Sequence, residues 1–414
     1  MSKISKILLL AVSVVFVLAV FLGVNSSGVS AASNPSDGAY RQINVYSEVL
    51  HHIQTDYVTE PNIPAVTNGA LHGLLESLDA NSSYLTPADY KLYKANVSGS
   101  EPHAQVGINP SKRFGYATVV SVVPGSPADK AGLNDGDILE AIEGKDTREI
   151  PLAMIEQMLQ GAPGSTLSVG VVRPGKATPD KVAMIRAVTA IPPVKDEMYE
   201  NSSILYLKPG ILDHEHVQQV EAKLKGMSKA GNKKVLLDLR DVAAGDMSEA
   251  VRLANDLMKD GTIATLEGQK VAKQTFTAEP GKAIAPSAPM ALLINRGTAG
   301  AAELVAAALL DNKRAELVGE RTFGEGAQQK TFELPDGSAI ILSIAKYAAP
   351  SGKKLQDEGV TPTIQVASGI DDQTGVDEEA TDSASSTPAP AKKPALQVDE
   401  QLTKALEILK AKAA

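Results

Sequence analysis

Apolar side chains recur every three or four positions over residues 40–99, first from Ile43 to Ile53 and again from Val66 to Leu78. This period places them on one face of a helix. The stretch TEPNIP lies between the two sets, and its prolines favour a break. The pattern therefore predicts a helical N-terminal region with at least two packed helices.

The pattern changes over residues 100–192, where short β-branched runs such as TLSVGVV are bounded by Gly, Pro and Asp. Such runs are typical of strands, so this segment is predicted to be a small β-rich module. Over residues 193–366, strand-like runs such as KKVLLDL alternate with helical ones such as AAELVAAALLD. The alternation predicts βαβ units around a buried sheet, followed by a hairpin at Asp336-Gly337. The predicted fold class is α/β, in several domains.

The C-terminal part of the chain has two distinct patterns. Residues 367–395 carry almost no large apolar side chains, so they are predicted to be a disordered linker. In residues 396–414, Leu402, Leu406 and Leu409 share one face of a short amphipathic helix. We expect this helix to dock back onto the core, with binding to a partner as the alternative.

The first residues have the pattern of an export signal. Lys3 and Lys6 precede the apolar run 7–24, and a stretch of small residues follows it. This order is typical of a secretory signal peptide, although the run is also just long enough for an N-terminal anchor. Residues 1–32 are therefore predicted to direct export to a periplasm or cell envelope, and any membrane association is expected through this segment alone.

Composition and charge narrow the possible functions. The 414 residues include 40 basic and 49 acidic side chains, a formal charge of −9, and no basic stripe that would attract nucleic acid. The absence of Cys excludes disulfides, thiolate catalysis and Cys-ligated zinc. The stretch DHEH at 213–216 stands where a helix is predicted to begin, so a capped turn is favoured over a metal site. No metal or cofactor is expected.

Four blocks of the sequence resemble the C-terminal processing (tail-specific) peptidases, which are serine peptidases with a PDZ domain. The blocks are YSEVLHHIQTDYV with GALHGLLESLDANSSYL, then VVPGSPADKAGLNDGDILEAIEGK, VLLDLR, and ELVGERTFGEG with LPDGSAI and YAAPSGK. They occur in the family's order over residues 40–366. The resemblance implies a helical N-terminal region, a PDZ-like module and an α/β core of the ClpP/crotonase-like fold.

The resemblance also implies that the module captures the C-termini of proteins or peptides. The stretch VGIN stands where PDZ domains have a carboxylate-binding loop, and a helix over 152–159 would form the other wall of the groove. The implied peptide-binding residues are Val106, Gly107, Ile108, Met154 and Met158. The alternative is that these residues only close the core of the module.

The stretch NRGTAGAAE at 295–303 is placed like an active-site turn between a buried strand and a helix, yet it offers no family nucleophile. In the family this turn carries a catalytic Ser, a Lys follows 25 residues later, and a Gln orients that Lys. The matching positions here are Gly300, Glu325 and Gln329. A Ser–Lys dyad needs a hydroxyl and a neutral amine, and neither is present. Thr298, two residues before the turn's centre, is predicted to cap the helix that follows.

The family's oxyanion loop is altered as well. The family pattern D-L-R-x-N-P-G-G reads DLRDVAAG here, so that Ala244 replaces a glycine whose backbone is less restricted. The implied oxyanion positions are Ala244, Gly245 and Ala301.

These departures predict an inactive pseudopeptidase that binds protein or peptide C-termini, alone as a homo-oligomer or by regulating an active homologue. Two alternatives would keep it an enzyme. One is an active serine endopeptidase of the same family with a rearranged site. The other is a hydrolase in which Glu325 activates a water molecule in the space left at Gly300.

Overall fold

A computed structural model of the chain describes residues 35–98, 104–113, 115–173, 178–230, 234–368 and 399–412. The chain divides into two compact units at Gly69 and Ala70. The predicted signal segment 1–32 and nearly all of the predicted linker 367–395 lie outside the described residues. None of the described helices is both long and apolar enough to cross a membrane.

The helices of the described residues are named in chain order. They are α1 Pro35–Asp56, α2 Ile63–Glu76, α3 Pro87–Ser98, α4 Pro127–Lys130, α5 Leu152–Leu159, α6 His214–Ala230, α7 Met247–Leu257, α8 Ala301–Asp311 and α9 Glu400–Ala411.

The strands are named in the same way. They are β1 Ser83–Leu85, β2 Ala104–Gln105, β3 Ile108–Arg113, β4 Tyr116–Val122, β5 Ile138–Ile142, β6 Lys145–Asp146, β7 Gln160–Gly161, β8 Thr166–Val172, β9 Asp180–Ile185, β10 Lys195–Tyr199, β11 Ile204–Lys208, β12 Lys234–Asp238, β13 Thr262–Glu267, β14 Gln274–Thr277, β15 Met290–Ile294, β16 Glu316–Gly319, β17 Ala327–Glu333, β18 Ala339–Ala348 and β19 Ile364–Gln365.

The helical period of the N-terminal region corresponds to real helices, but the apolar face of α1 is exposed. Ile43 is 56% and Tyr46 50% exposed to solvent. The spacing of apolar residues therefore identified a helix without identifying what its apolar face packs against.

The core of the larger unit is a six-stranded sheet in the order β10-β11-β12-β15-β16-β19. Only the β10–β11 pair is antiparallel. Strands β12 and β15 are buried along their whole length, as expected for a parallel sheet covered on both faces. Helices α7 and α8 pack on one face, and α9 packs on the other. A second, antiparallel sheet contains the predicted hairpin β17–β18, which turns at Asp336-Gly337.

The β-rich module is an antiparallel sheet in the order β3-β4-β5-β8-β9, with the short strand β6 paired to β5. Strand β3 lies at one edge of this sheet, and α5 packs beside it. The module has its own apolar core, in which Val106, Ile142, Ile155 and Leu167 are fully buried. Helix α5 therefore lies next to the edge strand of the module.

Helix α9 docks onto the central sheet, the first of the two expected roles. Ala405 and Leu409 are fully buried against side chains of β11, β12 and β15. Lys234 Nζ at the start of β12 donates hydrogen bonds of 2.7 Å to the carbonyl oxygens of Leu409 and Lys412, which satisfies the end of the helix. Arg240 forms a bidentate ion pair of 2.9 Å with Asp399 at its beginning.

We expect Leu409→Ala to destabilise the protein by about 2–5 kcal/mol, because it removes a fully buried side chain and leaves a cavity against the sheet. The free energy of unfolding in urea measures the effect. The matched control is Lys404→Ala, an exposed position of the same helix, which is expected to change stability by less than about 0.5 kcal/mol. Equal stability of the two variants would contradict the docking of α9.

Candidate functional site

The turn after β15 has the backbone of a tight strand-to-helix elbow. Gly300, at the predicted nucleophile position, precedes the first residue of α8 and has φ 57° and ψ −117°. This conformation is strained for any residue with a Cβ. A Cβ built on Gly300 would nevertheless meet no atom within 4 Å, although the residue is buried. The elbow therefore has room for a side chain that the sequence does not supply.

Thr298 does not cap helix α8, so that prediction was wrong. Its hydroxyl donates a 2.8 Å hydrogen bond to the carbonyl oxygen of Leu239 and accepts one of 3.0 Å from the Asn295 N–H. Asn295 in turn exchanges hydrogen bonds with Asp241, a left-handed residue with φ 65°. The polar side chains of the turn thus fix the loop after β12 rather than the helix, and none is free as a nucleophile.

Glu303 joins the two segments that carry the predicted dyad positions. The residue is fully buried. Its Oε2 accepts the N–H of Gly300 at 3.0 Å and that of Glu325 at 2.7 Å, while Oε1 accepts the N–H of Gly324 at 2.8 Å and the hydroxyl of Thr322. Two nitrogens bonded to the same oxygen lie within about 6 Å of each other. The structure therefore brings residues 300 and 325 together.

Burial raises the pKa of Glu303 to about 7. The hydrogen bonds that it accepts favour the ionised form and therefore lower the pKa, but their effect is smaller than that of burial. The sequence analysis did not identify this residue. A signal was present, because Glu303 is the single charged residue in the otherwise apolar stretch AAELVAAALL, three residues after the glycine at the helix start.

Glu325 occupies the position of the predicted base. Its side chain is half-buried and has no hydrogen-bond partner among the described residues, and burial raises the pKa of its carboxyl group. Glu156, on α5 of the module, lies close enough for the two charges to interact. Desolvation and, secondly, the negative charge of Glu325 raise the pKa of Glu156. The charge of a core residue therefore acts on a carboxyl group of the module.

Gln329 does not orient Glu325. Its Nε2 donates a 2.8 Å hydrogen bond to the carbonyl oxygen of Asn81, in the segment before β1. A register shift in β17 lies between Gln328 and Gln329. The position of the family Gln, which is predicted to orient the Lys of the dyad, therefore has its side chain bonded to a different segment of the chain.

Among the predicted oxyanion positions, Gly245 is the one whose backbone requires a glycine. Its φ is 149°, and an added Cβ would lie 2.7 Å from Leu212. Ala244 has no positive φ, so its Cβ imposes no strain on the backbone at this position. The Ala299 N–H donates to Val242, which ties this loop to the elbow.

Two of the predicted oxyanion positions keep an unpaired backbone N–H. Among the described residues, no protein acceptor is hydrogen-bonded to the N–H of Gly245 or of Ala301. Ala301 is the first residue of α8, where the N–H has no acceptor within the helix.

The two buried lysines of the described residues are both engaged by other segments of the chain. The buried lysines are Lys112 and Lys234. Lys112 Nζ donates to Glu76 and to the carbonyl oxygens of Arg148 and Ile150. An amine with all three N–H bonds donated has no lone pair to accept a proton. Lys234 is held by α9, as described above.

A cleft of about 580 Å³ separates the module from the core. Glu325 lies in its wall, whereas Gly300 is not among the lining residues. Arg113 of β3 crosses one end of the cleft, where its guanidinium lies 4.1 Å from the ring centre of Phe323 and donates to the Phe323 carbonyl oxygen. The module is therefore attached directly to the segment that leads to Glu325.

The predicted peptide-binding residues begin strand β3. Ile108 pairs with Val122, and the Val123 N–H donates to the Gly107 carbonyl oxygen at 2.8 Å. This makes Ile108–Val122 a non-hydrogen-bonded pair, so the backbone N–H and C=O of Ile108 point to the open edge of the sheet. Gly107 has φ 82°, and an added Cβ would lie 2.2 Å from the Cβ of Ser126.

The side chains of the predicted groove have other partners. Val106 is fully buried and Ile108 is 7% exposed, both in the core of the module. Met158 also packs against that core, whereas Met154 packs against a separate cluster that contains Leu85 and Ile341. Peptide contacts from this segment would therefore come chiefly from the backbone.

The stretch DHEH forms a capped helix start. Asp213 Oδ1 accepts the backbone N–H of His216 at 2.8 Å and contacts its ring nitrogen at 2.7 Å. His214 instead contacts Glu249 at 2.9 Å. Within the described ranges, no three His, Asp or Glu side chains are placed to hold a metal ion together.

Comparison with known proteins agrees with this architecture. The profile described as Peptidase family S41 matches residues 204–366, and the PDZ domain profile matches 118–173. A carboxyl-terminal-processing protease of Picosynechococcus sp. is 32% identical over 296 residues, covering 71% of this chain and 70% of its own. The carboxy-terminal processing protease CtpA of Bacillus subtilis is 28% identical over 367 residues, covering 88% and 77%.

A solved structure of a photosystem II D1 C-terminal processing protease has a TM-score of 0.66 with this chain at 25% identity. It covers 78% of this chain and 86% of its own. The predicted α/β fold with a PDZ module is confirmed. The stretch VGIN lies before the part that the PDZ profile matches.

We expect Glu303→Gln to destabilise the protein by about 2–4 kcal/mol, because the amide NH₂ would face backbone donors and leave them unpaired. Unfolding in urea measures the effect, with Glu267→Gln, an exposed position, as the control.

The pH dependence follows from the raised pKa of Glu303. The native state binds more protons than the unfolded state between about pH 4.5 and 7, so this residue's contribution to stability falls as the pH rises through that window. The difference in the free energy of unfolding between the wild type and Glu303→Gln is therefore expected to be larger at pH 5 than at pH 8. A difference that grows with pH would contradict the raised pKa of Glu303.

Proposed function

The chain belongs to the C-terminal processing peptidase family, and from this premise we propose that it has lost peptide-bond hydrolysis and kept the capture of protein or peptide C-termini. One observation carries the loss of hydrolysis. The N–H groups of Gly300 and Glu325 share one carboxylate oxygen of Glu303, so the two positions of the family dyad are adjacent, and neither supplies its reactive group.

The residues at the two dyad positions support the proposed loss of hydrolysis. Gly300 has no atom that could attack a carbonyl carbon, and Glu325 places a negative charge where a neutral amine is required. The two backbone donors at Gly245 and Ala301 can still polarise a bound carbonyl group. Without a nucleophile and its base, such donors provide only a small part of the rate acceleration. The site is thus suited to holding a peptide rather than cleaving it.

Peptide capture is supported by the module. The backbone of Ile108 faces an open sheet edge beside α5, which is the arrangement in which an extended peptide adds a strand. The N–H of Ile108, which points to this edge directly after the left-handed Gly107, is the donor that we propose for a terminal carboxylate. The family's processing enzymes act on protein chains, and the same class of partner is proposed here.

We also propose export, on the charged and apolar pattern of residues 1–32, to a periplasm or cell envelope. In that compartment the protein would act as a homo-oligomer or as a regulator of an active homologue. The function in either case would be recognition of C-terminal tails.

The wild-type protein is expected to leave unstructured protein substrates uncleaved. Gly300→Ser combined with Glu325→Lys restores a hydroxyl and an amine, and the Ser Cβ meets no atom within 4 Å. Backbone strain at φ 57° costs about 1–3 kcal/mol, so we expect only weak hydrolysis from the double variant. Each single variant is expected to be inactive, because nucleophile and base act as one unit.

The matched control is Gly300→Ala with Glu325→Lys, which has the same strain and charge without the hydroxyl. Wild-type cleavage that persists in Gly300→Ala and Glu325→Gln would show that a catalytic site lies elsewhere, as in the rearranged-site alternative. Cleavage lost only in Glu325→Gln would support activation of water by that carboxylate.

The wild-type chain is expected to bind free-acid peptides with a dissociation constant on the order of micromolar, and their amidated forms at least tenfold more weakly. Gly107→Ala should abolish binding because its Cβ would overlap Ser126. Gly115→Ala is the matched control, since it has a similar φ of 85° in the same module without a close contact. Titration calorimetry measures the affinity of the wild type and of both variants. Equal affinity for the free-acid and amidated peptides would contradict recognition of the terminal carboxylate.

A further inference from the structure

A second cavity, of about 840 Å³, lies in the core away from Gly300 and Glu325. Helices α6 and α7 and the segment 277–284 form its walls. Apolar side chains such as Val251 and Ile284 share the lining with several charged ones. A cavity of this size and mixed lining is typical of small-ligand or side-chain binding sites.

The walls of the cavity are held together by hydrogen bonds. The carbonyl oxygen of Asp256 on α7 accepts the N–H of Ile284 at 2.8 Å and that of Ala285 at 3.0 Å. The neighbouring Asn255 Oδ1 accepts the N–H of Glu279 at 2.5 Å. The segment opposite α7 is therefore fixed in place, and the cavity does not depend on a mobile wall.

The cations that line the cavity are all paired. Arg252 contacts Glu221 at 2.5 Å and also Glu249 at 3.0 Å. Lys225 contacts Glu221 at 3.2 Å, and Lys282 contacts Glu279 at 2.7 Å. None of these side chains forms an ion pair with Asp256 among the described residues.

Asp256 is the exception in this network. The residue is 4% exposed, it lines the cavity, and its Oδ2 has no hydrogen-bond partner among the described residues. Burial and, secondly, the charge of Glu221 raise the pKa of its carboxyl group to about 7, and a hydrogen bond between the two carboxyl groups, which needs a proton on one of them, acts in the same direction. A buried acceptor without a donor is costly, and such groups are uncommon in folded proteins.

We propose that this cavity binds an alkylammonium or alkylguanidinium group, with the carboxylate of Asp256 as the acceptor. Such a group donates to this carboxylate once its proton is lost, and it balances the one acidic lining residue that forms no ion pair among the described residues. Its alkyl chain would pack against Val251 and Ile284. A basic side chain of a protein and a free amine share this chemistry.

The proposed site predicts a defined pH dependence. A cation binds to the ionised carboxylate and must displace the proton that Asp256 holds below about pH 7. Affinity is therefore expected to rise about tenfold between pH 6 and pH 8. The neighbouring groups Glu221, Lys225, Arg252, Glu279 and Lys282 are paired with one another. The charge of Glu221 adds to the effect of burial on the pKa of Asp256, and the charges of Arg252 and Lys225 oppose it.

The test uses the purified full chain and three probes, namely n-butylammonium, n-butylguanidinium and n-butanol. Titration at pH 8 is expected to give millimolar binding of at least one cation and binding of butanol at least tenfold weaker. Asp256→Asn keeps the shape of the side chain and should weaken cation binding at least tenfold and abolish its pH dependence. The matched control is Glu279→Gln, on the rim of the same cavity, which should bind as the wild type does.

A capped Gly-Arg-Gly peptide and spermidine separate the two sources of the group. Preference for the peptide identifies a protein side chain, and preference for spermidine identifies a free amine. The proposal is overturned if no cation binds, if butanol binds as well as the cations, or if Asp256→Asn binds like the wild type while its urea unfolding shows it to be folded.

Discussion

The fully buried carboxylate of Glu303 is the interaction on which the site depends. It accepts hydrogen bonds from backbone N–H groups in the elbow at Gly300 and in the segment at Gly324 and Glu325, which are distant in sequence. The acceptor holds main-chain atoms, so the arrangement does not depend on which side chains stand at positions 300 and 325. Folding of the site and its chemistry are therefore under separate constraints, and the second can change while the first is kept.

Much of the architecture was predictable from the sequence because it follows from local patterns. The uniformly apolar runs of β12 and β15 indicated a covered parallel sheet, and the Asp-Gly pair indicated the hairpin β17–β18. The amphipathic pattern of α9 predicted a helix and, as one of two possibilities, its docking. Each of these depends on side chains within a few residues of one another.

The details of the site were less predictable because they depend on partners far apart in the chain. Thr298 was expected to cap a helix, but its hydroxyl oxygen accepts the N–H of Asn295, and its proton is donated to the carbonyl oxygen of Leu239, which follows another strand. Ala244 was noted because it replaces a glycine of the family pattern, but the dihedral angle that requires glycine is found at Gly245. The role of Glu303 required knowledge of which loop its helix start would meet. Local pattern identified the right segments, and only the fold determined which atoms in them are paired.

The edge strand β3 limits how much of a second chain it can accept. Its register shifts between Asn109 and Pro110, and proline has no N–H to continue a ladder of hydrogen bonds. Lys112 and Arg113 follow, and charged residues together with a bulge are features that prevent exposed edges from joining into aggregates. An added strand can therefore pair over only the first few residues of β3. Only a few residues of a bound chain would then pair with β3, so selectivity would come from its last few residues.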